Sequence, residues 1–349
     1  MPRLQVMRCR AALLVLGCTL ALTSCAVQTP GPRFGAQPLS TVRGAHLQGA
    51  LVELATQRVV PLETCIAALA RTQVVALGEV HYHPAVQAFE LRVLQTLVQQ
   101  QPQPIILAME FLERDMQPSV DAYLAGHIDA ATLYGHIKAT PAFIQSYMPL
   151  LQYARQAGIP VRAMNAPRAL ARRVAKEGLH AVLDSLTSAE RASLAATMAP
   201  MTPEYRAYSV QALAEAHPLP PDQTERFVEA AYVKDETMAE SLATIVAAAP
   251  TATVLAIAGR FHVDYGLAIP ALLKQRRPDV TMVRVTTIPV AADEDTDVRR
   301  LAKAGLAEYV WFAAPHAASP AGNSGGRAMQ TSEEVRGGSV AAPSVVPLR

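Results

Sequence analysis

The sequence predicts an α/β fold: a mainly parallel sheet flanked by helices, with a helical subdomain inserted between strands. Three observations predict it. Short apolar runs rich in β-branched residues, at 74–77, 105–109, 159–164, 253–258 and 280–286, alternate with stretches of helical periodicity. Four of those runs end directly in polar residues, as strands do where a parallel sheet presents its carboxyl ends. Residues 169–249, by contrast, hold no strand-like run and read as several helices, broken near Gly178, Pro200 to Pro203 and Pro218 to Pro221.

The chain opens with Arg3, Arg8 and Arg10 ahead of an apolar stretch from Ala11 to Leu22, too short for a comfortable membrane span. Leu22-Thr23-Ser24-Cys25 follows and resembles the bacterial lipobox. That resemblance implies a lipoprotein signal peptide over 1–24 and diacylation of Cys25. Ala26, rather than Asp, follows the cysteine, which implies the outer membrane, on its periplasmic or surface face. Residues 25–48, rich in Pro, Gly, Gln and Thr, read as a tether. Leu51 to Val60 reads as a β-hairpin arm or a short helix, and Leu62 to Ala70 as a helix.

Val74 to Leu77 is a buried strand stopped by Gly78, with Glu79, His81 and His83 in the turn. Pro84 then opens a helix whose apolar face carries Val86, Phe89, Val93, Leu94, Leu97 and Val98. Pro102 and Pro104 mark a loop before the strand Ile105 to Met109, with Glu110 at its end. Residues 113–157 are mostly helical in pattern, and Gly158 stops them. Strands at 159–164, 253–258 and 280–286 and a helix at 267–275 follow. Glu308 to Phe312, EYVWF, reads as a last edge strand. Ala, Ser, Gly and Pro dominate from Ala317, so 49–312 is the folded domain and 313–349 a disordered tail.

Lys and Arg number 31 against 29 Asp and Glu, and removing 1–24 takes three arginines, so the mature chain is nearly neutral. With no basic run or aromatic-interleaved patch, nucleic acid is excluded as a partner. Beyond residue 24 only Cys25 and Cys65 remain, too few for a disulfide framework or a thiolate metal site.

The chemistry gathers at the strand ends. Glu79 with His81, Glu110, Asn165 with Arg168, and Arg260 with His262 each follow a separate strand, and parallel strands place their carboxyl ends on one edge. A single polar residue after a strand is usually a local cap, but four such ends together point to a site. Two of them share a pattern, Gly78-Glu79-Val80-His81 and Gly259-Arg260-Phe261-His262. Each is a G-x-x-H in which the glycine is expected to let the backbone turn sharply.

At this point the chain resembles the ChaN-type haem-binding uptake lipoproteins, in the Tiki/TraB-like superfamily that also takes in the erythromycin esterases. The matching pieces are GEVHYHPAVQ at 78–87, AMEFLERDMQP at 108–118, IPVRAMNAPR at 159–168, IAGRFHVDYGLAIP at 257–270 and EYVWF at 308–312. The resemblance implies haem and iron acquisition, with haem held between paired subunits of a homodimer and an outer-membrane haem receptor as a further partner. His81, Tyr82, His83 and His262 are the candidate axial ligands at the edge. Tyr205, Tyr208 and His217 are candidates in the helical subdomain. Arg168 and Arg260 are placed to face propionates. Such relatives commonly carry Asp-Asn where this chain has Tyr82-His83, which adds a phenol and an imidazole. The esterase branch implies the alternative, a metal-dependent hydrolase in which Glu79, His81, Glu110 and His262 hold or serve a divalent metal. There is no H-E-x-x-H and no G-x-S-x-G, so neither a zincin helix nor a nucleophile elbow is expected.

Overall fold

In the computed structural model, which describes residues 38–69, 72–216 and 219–316, six strands lie parallel. They are β4 (Val74–Glu79), β5 (Ile105–Glu113), β6 (Val161–Asn165), β7 (Thr253–Gly259), β8 (Met282–Pro289) and β10 (Tyr309–Ala313). Two short antiparallel strands, β2 (Leu51–Glu53) and β3 (Arg58–Val59), extend one side, giving the order β3-β2-β10-β8-β4-β7-β5-β6. A separate pair joins β1 (Thr41–Arg43) to β9 (Asp295–Asp297).

The period of two along each central strand divides the core. Val75 and Leu77 join Leu107, Met109, Leu255 and Ile257 under the helices Pro84–Gln100 and Pro141–Ala157. Val74 and Ala76 point the other way. They join Ile106, Ala108, Val254 and Ala256 under the helices Pro221–Ala248 and Ile269–Arg276. Burial on both faces explains why these strands read as continuous apolar runs.

Connectivity positions the site. After β4 the chain skips one place in the sheet to lay down β5, then β6 at the edge. The helices between 168 and 248 follow, and β7 returns to fill the gap between β4 and β5. Glu79 therefore pairs in register with Gly259, residues 180 positions apart brought side by side.

Several elements differ from the sequence reading. Leu51 to Val60 is a hairpin, the β option. EYVWF is interior, with β8 parallel on one side and β2 antiparallel on the other, because β2 covers the side expected to be free. The strand expected at 105–109 continues to Glu113, so Glu110 lies within β5 rather than after it. The tether expected to reach 48 gives way earlier, since Thr41–Arg43 is paired and Gly44–Leu47 is helical. The tail expected from 313 starts later, since Ala313 is the last residue of β10; the signal segment, Cys25, His217 and residues 317–349 lie outside the described residues.

Candidate functional site

The expected convergence holds on three adjacent strands, β4, β7 and β5. At the end of β4, Glu79 is buried and its Oε1 is bonded to His81 Nδ1. Tyr147, from the helix Pro141–Ala157, donates its hydroxyl to the same oxygen at 2.7 Å. Gln87 donates to Oε2 at 2.6 Å. Burial by itself raises the Glu79 carboxyl, but the His81 imidazole and the surrounding donors outweigh it and hold the group below its ordinary range. One turn along the helix from Gln87, Glu90 is fully buried beside Glu79. Burial, and then the charge on Glu79, push Glu90 well above its ordinary value, which favours its neutral form.

The second G-x-x-H builds a different object. His262 is buried between two carboxylates, Nδ1 at 2.6 Å from Asp235 and Nε2 at 3.1 Å from Glu110. Desolvation opposes charge on the ring, but Asp235 and Glu110 prevail and raise its pKa to about 9, making it an imidazolium at neutral pH. Glu110 also takes Lys234 Nζ at 2.9 Å and the Gly259 amide at 2.7 Å. Against the cost of burial, His262 and Lys234 hold the Glu110 carboxyl well below its ordinary range. Tyr205 closes the chain, donating to Asp235 at 2.6 Å.

The two halves touch at Gly259. A side chain there would meet His81 Nε2 and Glu110 Oε2, so the His81 ring lies over the end of β7 beside Glu110. An edge-on contact with Phe111, 5.1 Å between centroids, flanks the ring. Phe111 in turn stacks on Tyr147 at 3.9 Å.

The remaining candidates separate by exposure. Tyr82 sits at the tip of the first turn with φ of 55°, and at 42% exposed it is the exposed large hydrophobic residue among the described ones. His83 is buried, with Nε2 at 3.0 Å from the carbonyl of Ala314. Tyr205 is buried, and Tyr208 donates to the carbonyl of Phe261 at 3.0 Å. Arg260 is tied to Asp264 through Nε and Nη2. Arg168 is exposed but opens the helix Arg168–Glu177 that follows the outermost strand, beside Glu113 at 3.5 Å, with β6 three strand spacings from β4. Asn165 turns its side chain onto the amide of Ala166, a local cap.

The four proposed metal donors lie together but face one another. Among the described residues no three His, Cys, Asp or Glu side chains surround a common point. The cations a metal would have to displace, Lys234 and the His262 imidazolium, already sit on Glu110. This donor set fits a divalent metal poorly.

The family described as "Haem-binding uptake, Tiki superfamily, ChaN" matches residues 65–273. The chain belongs to that family. Among solved structures, Campylobacter jejuni ChaN, described with cofacial haem binding, aligns over 75% of this chain and 95% of its own. Its TM-score is 0.57 and its identity 19%, a likeness that shows the shared fold. An erythromycin esterase, EreC, in its open conformation aligns over 69% of this chain and 76% of its own, with TM-score 0.42 and 13% identity. RETICULATA-RELATED 5, a chloroplastic protein of Arabidopsis thaliana, is 24% identical over 272 residues. That alignment takes in 70% of this ChaN-family chain but only 35% of the plant protein, so the chain spans about a third of that relative's length.

Four contributors to the edge were not anticipated: Glu90, Tyr147, Lys234 and Asp235. Two of them left a signal. Glu90 falls on the stripe of Val86, Phe89, Val93 and Leu94, and Asp235 on that of Val228, Tyr232, Met238 and Leu242. A carboxylate on the apolar face of a helix calls for a buried partner.

Proposed function

We propose that this ChaN-family protein binds haem at the carboxyl edge of its sheet, as cargo for iron acquisition, with the Tyr82 phenol as the axial donor. The observation that carries the reading is the 42% exposure of Tyr82 at the tip of the first turn. His262 spends both ring nitrogens on carboxylates, Tyr205 and Tyr208 donate to protein acceptors, and His83 is buried against Ala314. Bound haem would supply a ferric iron that takes an oxygen donor. The residues fit such a group: the exposed Tyr82 ring lies 5.8 Å from that of Tyr147, on which the half-buried Phe111 stacks, an aromatic wall for a macrocycle. Phenolate is a better ligand than phenol, and His81, held by Glu79, lies next in the chain with its ring 6.2 Å from that of Tyr82. His81 would orient the turn that carries the phenol. Arg168 remains the exposed cation at this edge for propionates.

The cofacial haem binding described for the Campylobacter protein supports a second copy of this chain as partner. Titrating the purified protein with ferric haem should give a saturable spectrum, and the loaded protein should sediment as a dimer. Absence of saturation would sink the haem reading, and a loaded monomer would sink the pairing. We further propose that Cys25 carries the lipid that holds the protein at the outer membrane, on the support of the lipobox-like LTSC at 22–25. Cys25→Ser should abolish metabolic palmitate labelling, and labelling equal to wild type would contradict the anchor.

A further inference from the structure

Gly78 and Gly259 open the two G-x-x-H turns, and the dihedral freedom of glycine explains neither. Gly259 has φ of −53° and ψ of 145°, which any residue adopts, and Gly78 is not among the glycines of positive φ. What both lack is room: at Gly259 the nearest obstructing atoms are those of His81 in the other motif, and at Gly78 they are Thr286 Oγ1 first and then Val263 and Arg260 of the other turn. A Cβ on Gly259 would stand 2.9 Å from His81 Nε2 and 3.1 Å from Cε1. A Cβ on Gly78 would stand 3.2 Å from Val263 Cβ and 3.3 Å from Arg260 Cα, with Thr286 Oγ1 at 3.0 Å. The register explains the exchange: Gly78 pairs with Ala258, and Glu79 with Gly259.

We propose that the two glycines are reciprocal positioning residues, each the bare seat on which the other turn rests, and that Gly259 fixes the His81 imidazole beside Glu110. The His81 ring has little space to step aside, because Glu79 holds Nδ1 and the edge of Phe111 packs against it. Gly78 supports the opposite contact, where backbone and Cβ atoms are even less able to yield. The inference goes beyond haem binding and holds whatever the edge receives.

The test is Gly259→Ala made in the wild-type chain and in His81→Ala. At this φ and ψ an alanine is otherwise tolerated and even stabilising, since it restricts the unfolded chain. With His81 present, the added methyl should shift the unfolding equilibrium by about tenfold toward the unfolded state, as overpacking does. In His81→Ala the same change should cost less than about twofold or reverse sign, because the ring it strikes is gone. The His81 ring nitrogen and carbon resonances of the haem-free protein should move in Gly259→Ala. Equal cost in both backgrounds, or unmoved ring resonances, would overturn the proposal. If Gly259→Ala alone does not fold, recovery of folding in the double variant supports the seat, and an unfolded double variant refutes it.

Discussion

The two G-x-x-H turns share a sequence pattern and do opposite work. The first, at the end of β4, leads outward: His81 is fixed by Glu79, and the next residue, Tyr82, stands in solvent. The second, at the end of β7, leads inward. His262 is clamped between Asp235 and Glu110, and its neighbour Arg260 is spent on Asp264. The difference comes from what packs over each turn. The long helix Pro221–Ala248 lies across the second and supplies Lys234 and Asp235, so the histidine becomes an electrostatic staple between helix and sheet. The helix Pro141–Ala157 meets the first turn through Tyr147, whose hydroxyl reaches Glu79 and whose ring lies 5.8 Å from that of Tyr82, and Tyr82 stays 42% exposed. One motif thus gives an outward turn and an inward one, according to the helix that covers it.

The comparison breaks most visibly if His262 is removed. His262→Ala leaves Asp235 and Glu110 buried without their shared cation and should cost about 3–5 kcal/mol, read as a fall in the urea midpoint. A midpoint close to wild type would mean the second turn is no staple.

A pH series sharpens the same point. The folded pKa of His262 is raised to about 9 from the ordinary histidine value of 6.5. Its contribution is therefore fully present below the unfolded value and is lost as pH rises through the folded one. Stability should decline between pH 6.5 and about 9, by on the order of 3 kcal/mol at most. His262→Ala should be flat over that window. A wild-type profile without the decline would contradict the imidazolium assignment.

How much of this was legible in the sequence depends on where a residue stands. Glu79, His81, Glu110 and His262 were legible because a polar residue right after an apolar run marks a strand end, and parallel strands put such ends together. The order of strands was not: nothing local in Thr253–Gly259 says that β7 inserts between β4 and β5. That same insertion hid the reason for the glycines, which looked like turn residues and are close-approach residues. Lys234 and Asp235 sit mid-helix, where charge usually means a solvated face. Only the alignment of Asp235 with Tyr232, Met238 and Leu242 betrays it, and Lys234 left no such signal. Arg168 and Arg260 show the converse, residues at the right strand ends whose partners are the local carboxylates Glu113 and Asp264.

The smallest effect on stability and the largest on ligand belong to Tyr82. As an exposed side chain it should tolerate Tyr82→Phe within about 0.5 kcal/mol of wild-type stability. The measurement that tests the account most directly is the ferric haem absorption spectrum and titration of Tyr82→Phe beside wild type. The account expects wild type to show phenolate-to-iron charge transfer, and the variant to lose that band and bind at least about tenfold more weakly, a loss of roughly 1.4 kcal/mol. A variant with the wild-type spectrum and affinity would show that the outward turn does not hold the iron.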